Sequence, residues 1–480
     1  MEQKMKIGLS QLDITPPARI MLQGQAYTRI SESLESPLMA NVFAVEAAGT
    51  ALVICACDVA SVNSTFCNRV REQVRERCPD LASENIIISA THTHTGPVFW
   101  RAINPHFLAA KYLPPDVTFT EDVLIPDDVW QVDRCFTYMA DKVSEAICTA
   151  WEKRRSAVLS PAFGRAVTGH CRRVVYDDDS AQMYGNVETV NFRELEGGND
   201  SGIELLYIFA EDKTPLGALV NVACPSQCVE SKLFISSDYW GKARDQIKDR
   251  LGDDFVVVGL CAAAGDQSPR DLIRRSRNRQ RRTDADMNGL DGASELGGRI
   301  AAVVLDKLAE AQSAPIASDC LLRHEVLTVD FPLRRVTPAE REEAQKQIAD
   351  YVAKNPKKVY NVRDMAALKL YSGILQRFDV QQQQQFYTAE IHVARLGDLA
   401  FATNPFELFL DFGNQIKALS DATQTFLIQL ACDAGRYLPT EKAERGSHYS
   451  AYVFSGYTGH AGGELLVRKT VETIRKLWED

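Results

Sequence analysis

The side chains capable of chemistry follow directly after short apolar runs. Ile86 to Ala90 runs into Thr91-His92-Thr93-His94-Thr95-Gly96-Pro97, and Leu219 to Ala223 runs into Cys224-Pro225-Ser226. Phe255 to Leu260 leads to Cys261 and then to Gly265-Asp266-Gln267-Ser268-Pro269. Ala400 to Thr403 leads to Asn404-Pro405-Phe406-Glu407, and Phe426 to Leu430 leads through Asp433 to Gly435-Arg436-Tyr437. Open α/β sheets place their ligands at the carboxyl ends of strands. The His92-x-His94 pair offers two imidazoles. With a cysteine, a glutamate and a tyrosine at other strand ends, it makes the N, S and O donor set that a transition metal such as zinc takes from several chain segments. Alone, an HxH is ordinary loop polarity. The Gly/Pro-bounded turn at Ser268 suits a hydroxyl held rigidly at the mouth of a site; the same local sequence suits a helix N-cap serine.

Together these segments resemble the N-terminal catalytic domain of the neutral/alkaline, non-lysosomal ceramidase family, from Gly8-Leu9-Ser10-Gln11-Leu12-Asp13-Ile14-Thr15-Pro16-Pro17 to about Gly463. Ala90-Thr91-His92-Thr93-His94-Thr95-Gly96-Pro97 looks like that family's ATHTHSGP with Thr95 in place of the serine, and Gly265 to Pro269 is similar to its GDVSP nucleophile segment. The resemblance implies a zinc amidohydrolase in which a metal-activated water attacks an amide carbonyl or a serine participates as nucleophile. It places zinc on His92, Glu407 and Tyr437, with His94 assisting at the substrate or nucleophile. It also places Ser268 as the serine, Tyr449 at the developing oxyanion, and Arg172 on the family's arginine. Zinc polarises a carbonyl or brings bound water toward a pKa of about 7. A phenol or guanidinium aimed at the oxyanion stabilises charge that exists only in the transition state.

The chain departs from the family at Cys224, which stands where a histidine ligand is expected. A thiolate is a good zinc donor, so the ligand set becomes His92, Cys224, Glu407 and Tyr437; the competing reading is a lost metal site in a non-catalytic binding or scaffold protein. No immunoglobulin-like domain is expected after the catalytic region. The substrate expected is a soluble small-molecule N-acyl compound or other carboxamide and not ceramide itself. Seven arginines between Arg270 and Arg282 suit a carboxylate or phosphate on it, or form a solvated loop. Asp58 and Asp238 are candidates to orient metal-bound histidines. His106, His170, His324, His392 and His460 belong to no motif.

A net charge of −10 disfavours nucleic acid and an anionic membrane as main partners. The twelve cysteines are scattered through apolar segments, which reads as buried thiols, and no 18-residue apolar run is present. The start Met1 to Lys6 has no apolar stretch behind its charges, so the cytoplasm is expected. The 480 residues, 45% hydrophobic, supply a large core, and short apolar runs alternating with long amphipathic ones predict one α/β domain with a mixed sheet and helices on both faces. Strands are expected at 41–47, 51–57, 85–90, 205–210, 218–223, 255–260, 323–328, 389–396, 399–403 and 425–430. Helices are expected at 66–77, 127–151, 239–251, 293–309, 338–354 and 463–478. Residues 335–386 read as a helical insertion near the site entrance. No repeat of 20 to 50 residues is visible, and the oligomeric state is left open.

Overall fold

Every apolar run read as a strand forms one. The computed structural model describes residues 5–25, 27–100, 110–119, 125–275, 287–314 and 321–479. The first four residues, His106 and residues 276–286, which include the end of the arginine-rich segment, lie outside them. Among the described residues, twelve strands have five residues or more: β1 (Lys6–Asp13), β2 (Met39–Ala47), β3 (Thr50–Cys57), β4 (Ile86–Ala90), β5 (Val158–Arg165), β6 (Gly202–Phe209), β7 (Pro215–Val222), β8 (Val256–Cys261), β9 (Leu322–Pro332), β10 (Phe386–Leu396), β11 (Leu399–Thr403) and β12 (Gln424–Ile428). The long helices are α1 (Ser64–Arg77), α2 (Val132–Glu152), α3 (Tyr239–Leu251), α4 (Gly289–Ser313), α5 (Pro338–Lys354), α6 (Val362–Val380), α7 (Leu410–Leu419) and α8 (His460–Trp478).

The strands form three sheets of one design, in the orders β4-β3-β2-β1, β5-β6-β7-β8 and β9-β10-β11-β12, with the short strand Arg155–Ser156 at the β1 edge. In each sheet the first three strands pair antiparallel and the fourth joins the third in parallel. Parallel neighbours need a crossover, and a helix supplies it each time: α1, α3 and α7. A second helix follows each fourth strand: α2, α4 and α8. The chain is thus one β-β-β-α-β-α unit built three times, over 6–152, 158–313 and 322–478. This repeat lies in topology, at a period far beyond the 20 to 50 residues over which the sequence shows none.

Strand alternation sorts the core. Leu52, Ile54, Leu219, Val258, Leu260, Leu399, Phe401, Phe426 and Ile428 meet in one central cluster shared by all three sheets. Their neighbours face the helices: Val53 and Cys55 toward α1 and α2, Val220 and Val257 toward α3 and α4, Ala400 and Leu427 toward α7 and α8. The α/β class is as expected, but the helices coat only the outer face of each sheet, because the inner faces pack on one another. A strand apolar on both faces reports burial on both sides without saying what covers each.

The ends of the fourth strands, β4, β8 and β12, meet at the centre, where Ala90 N–H donates to Leu430 O (3.2 Å) and Gln429 N–H donates to Cys261 O (3.0 Å). The strand ends carrying the motifs are thereby gathered at one end of the molecule. Between the paired strands β9 and β10 stands the helical insertion, α5 and α6, each opened by a capping box, Thr337 with Glu340 and Asn361 with Asp364. All eleven cysteines among the described residues are unpaired and buried. No helix among them is long and apolar enough to cross a membrane.

Candidate functional site

Backbone pairing places the site residues. The short strands Phe406–Leu408 and Arg436–Leu438 run parallel in a register that sets Glu407 opposite Tyr437. Gly265 lies against them: a Cβ there would fall 2.3 Å from Glu407 O, so only glycine lets the Ser268 turn approach. Gln267–Ser268 pairs in turn with His170–Cys171, which delivers Arg172 to the same place. His92 has φ +69°, the left-handed conformation that non-glycine residues adopt at strained functional positions, and its N–H donates to Val59 O (3.0 Å).

His92 Nδ1 lies 2.6 Å from Ala60 O. A carbonyl only accepts, so the neutral ring carries its proton on Nδ1 and presents the Nε2 lone pair. That Nε2 is 3.5 Å from Glu407 Oε2 and 3.4 Å from His94 Nε2. Tyr437, across the strand pair, helps hold the Glu407 carboxyl ionised. His92 Nε2 and Glu407 Oε2 therefore face each other, with Tyr437 set opposite Glu407.

Arg172 is fully buried beside them and connects the rest of the site. Its Nη2 donates to Gly265 O (2.9 Å) and reaches Tyr437 Oη (3.3 Å), while Nη1 donates to Gln227 Oε1 (3.1 Å) and Tyr184 Oη (3.2 Å). Tyr184 Oη–H donates onward to Ser268 Oγ (3.2 Å), which also accepts from Arg270 N–H (3.2 Å). Gln227 Nε2 donates to His94 Nε2 (3.0 Å), leaving His94 Nδ1 3.7 Å from Glu230, whose carboxylate pairs with Arg270 at 3.1 Å. Gly24, at φ +111°, backs the His94 ring; a Cβ there would sit 2.3 Å from His94 Cγ. Tyr449 Oη lies 3.4 Å from Tyr437 Oη, and Lys369 of α6 stands 5.8 Å over the Tyr449 ring, so the insertion reaches the site.

Burial and charge set the protonation states. Burial, reinforced by His92, Arg29 and Arg172, holds the His94 imidazole well below its ordinary range, hence neutral. Burial pushes the Glu407 carboxyl up, but His92 and Arg172 outweigh it and hold the group below the usual carboxylate range. Burial, with Glu407 close by, pushes the Tyr437 phenol well up.

His92, His94, Ser268, Glu407, Tyr437, Tyr449 and Arg172 are brought into one connected arrangement. Cys224 stands apart from it: its Sγ is directed to Pro225 O at 3.6 Å, it belongs to the apolar cluster under α3 and α4, and burial raises its thiol well above the ordinary range. Among the described residues the one set of three His, Cys, Asp or Glu donors lying within 4.8 Å of one another is Glu390, His392 and Cys432, so Cys224 does not close a cluster with His92 and Glu407. Asp58 does not touch His92; it accepts from Thr91 Oγ1 (3.1 Å), from Met39 N–H (2.9 Å) and from Arg244, ordering the loop one residue earlier. Asp238 caps α3 through Tyr239 N–H and accepts from Val229 N–H (2.8 Å).

Sequence reading missed Gln227, Tyr184 and Glu230, which belong to no motif. Gln227 lies three residues after Cys224 at a strand end already singled out, and that position was its one available signal. Arg173, the neighbour of Arg172, points the other way: bidentate on Glu196, it also donates to Tyr449 O (3.2 Å) and Ser447 O (2.9 Å), fixing the Tyr449 loop.

No family model matches the sequence, and no curated protein matches it. Solved structures do. A neutral ceramidase from Pseudomonas aeruginosa superposes with a TM-score of 0.68 at 17% identity, over 99% of this chain and 75% of that one. A ceramidase complexed with C2 superposes with a TM-score of 0.68 at 16% identity, over 98% and 75%. The chain has the fold of the neutral ceramidases, as its motifs led one to expect.

Proposed function

We propose that this chain is a zinc-dependent amide hydrolase acting on a soluble N-acyl or other carboxamide substrate. The observation that carries this reading is the convergence of the His92, Glu407 and Tyr437 donors beside a serine that Arg172 reaches through a single tyrosine. These three residues would hold zinc, which when bound supplies a Lewis acid for the amide carbonyl.

The chain's own groups account for the remaining chemistry. Ser268 Oγ accepts two hydrogen bonds, from Tyr184 Oη–H and Arg270 N–H. Its own proton is left free to donate, and both donors strengthen as the oxygen gains charge. Arg172, donating to Tyr184, carries cationic stabilisation to that oxygen. Tyr449, beside Tyr437, is the donor for the developing oxyanion, and neutral His94 accepts from Gln227 through Nε2 and keeps its proton on Nδ1, on the Glu230 side. The Glu230–Arg270 pair next to His94 favours a substrate whose amine part is polar or charged.

A second reading, a non-catalytic binding protein with a degenerate metal site, is favoured by the position of Cys224 in the apolar cluster away from the other donors. Incubating the zinc-loaded protein with a panel of soluble N-acyl amines separates the two. Release of free acid and amine that falls by orders of magnitude in folded Ser268→Ala supports the hydrolase; no turnover of any amide, or turnover unchanged in Ser268→Ala, counts against it.

A further inference from the structure

A second group of metal-type donors lies beside β4, where β10 meets the loop after β12. We propose that Glu390, His392 and Cys432 form a structural zinc site that ties this loop to β10. The proposal is independent of the catalytic reading.

The three donor atoms all lie within 4.8 Å of one another. His392 Nε2 is 3.6 Å from Cys432 Sγ and 2.8 Å from Glu390 Oε1. Zinc bonds of about 2.0 Å to nitrogen and 2.3 Å to sulfur, opened tetrahedrally, separate the two donors by about 3.5 Å. The outer support of a metal-bound imidazole is present as well. His392 Nδ1 lies 3.0 Å from His324 Nε2, and His324 Nδ1 lies 3.2 Å from Asn85 Oδ1. Asn85 Oδ1 and the Glu390 carboxylate only accept, so His324 Nδ1–H donates to Asn85, His392 Nδ1–H to His324 Nε2 and His392 Nε2–H to Glu390 Oε1; a zinc ion would take the place of that last proton and keep the outward chain. Such second contacts fix the ring and tautomer of a ligating histidine. A thiolate, an imidazole and a carboxylate together select zinc over magnesium or calcium, which take all-oxygen shells.

His392 and Cys432 are buried, while the Glu390 side chain is 32% exposed and gives an ion its way in. The competing cation is Arg71, whose Nη2 lies 2.7 Å from Glu390 Oε1 and 3.5 Å from Cys432 Sγ and donates to Ile86 O (2.6 Å). A zinc ion would share both anionic donors with this guanidinium, so Arg71 limits its affinity by repulsion. The ion would pin a loop in which Leu430 and Cys432 both have left-handed φ, of +55° and +62°.

The test uses the full chain carrying His92→Ala and Cys224→Ser, so that the catalytic site supplies neither metal nor thiolate signal. Titrated with cobalt(II), it should develop a thiolate-to-cobalt charge-transfer band saturating at one equivalent and erased by zinc. Adding Cys432→Ser should abolish the band, and so should His392→Gln, which keeps the thiol. Arg71→Gln should tighten binding by about tenfold. Circular dichroism confirms that each variant scored is folded. A folded protein without the band, a band that survives Cys432→Ser, or weaker binding in Arg71→Gln would overturn the site.

Discussion

His92 Nε2 and Glu407 Oε2 face each other at 3.5 Å, although the Nδ1 contact to Ala60 O leaves both of them acceptors in the neutral site. Two acceptors held toward each other in a buried pocket are reconciled by a proton or by a metal ion between them, and in the proposed reading that ion is zinc. Glu407→Gln removes the anionic donor while keeping its shape. It should lower zinc affinity by orders of magnitude, read by metal analysis after equilibrium dialysis; parental affinity in the variant would remove Glu407 from the ligand set.

Cys224 is surrounded by apolar side chains and its thiol is held in the protonated form by burial. Cys224→Ser should leave the metal content at the His92 site unchanged while costing about 1–3 kcal/mol of stability, because a hydroxyl replaces a thiol in an apolar cluster. Metal analysis and denaturant unfolding of the same preparation check both halves. Metal loss without a stability loss would restore Cys224 as a ligand.

Gln227 bridges His94 and Arg172. Gln227→Leu strands a buried donor and a buried acceptor, costing about 1–3 kcal/mol of stability. Because His94 is then unheld, turnover should fall more than KM rises. Steady-state kinetics on the best amide of the panel reads this; a rise in KM alone would make Gln227 a binding residue.

Asp266 is buried behind the Ser268 turn, where it accepts from Leu410 N–H (2.9 Å), and burial pushes its carboxyl up to about 6. Below about pH 3 the group is protonated in both folded and unfolded chains and costs nothing. As pH rises to about 6 the unfolded chain releases its proton first, so stability falls through that window by up to about 3 kcal/mol. Asp266→Asn keeps the acceptor and cannot ionise. Its gain in Tm over the parent should grow from pH 4 to pH 6 and then level off, measured by thermal melts across that range; a gain independent of pH would contradict this.

How much the sequence disclosed follows from what each residue does. Strand ends and the residues at them were legible because a buried strand is a continuous apolar run and its exit must be polar, so His92, Ser268, Glu407 and Tyr437 announced themselves. Glu407 and Tyr437 could not be seen to pair, since that depends on a register between two three-residue strands far apart in the chain. Gln227 and Tyr184 each act by bridging two hydrogen-bonded neighbours and carry no pattern of their own. His324 and His392 read as ordinary histidines because their partners, Asn85, Glu390 and Cys432, come from three separate parts of the chain. The three sheets were hidden because strand periodicity reports burial and not the identity of the covering layer.

The measurement that bears most directly on the whole account is amide hydrolysis by the full chain before chelation, after chelation, and after zinc is returned, alongside His92→Ala carried through the same steps. The account predicts turnover that disappears with the metal and returns with zinc in the parent, and that zinc does not restore in His92→Ala. Turnover that persists unchanged in the stripped protein, or in His92→Ala, would contradict it.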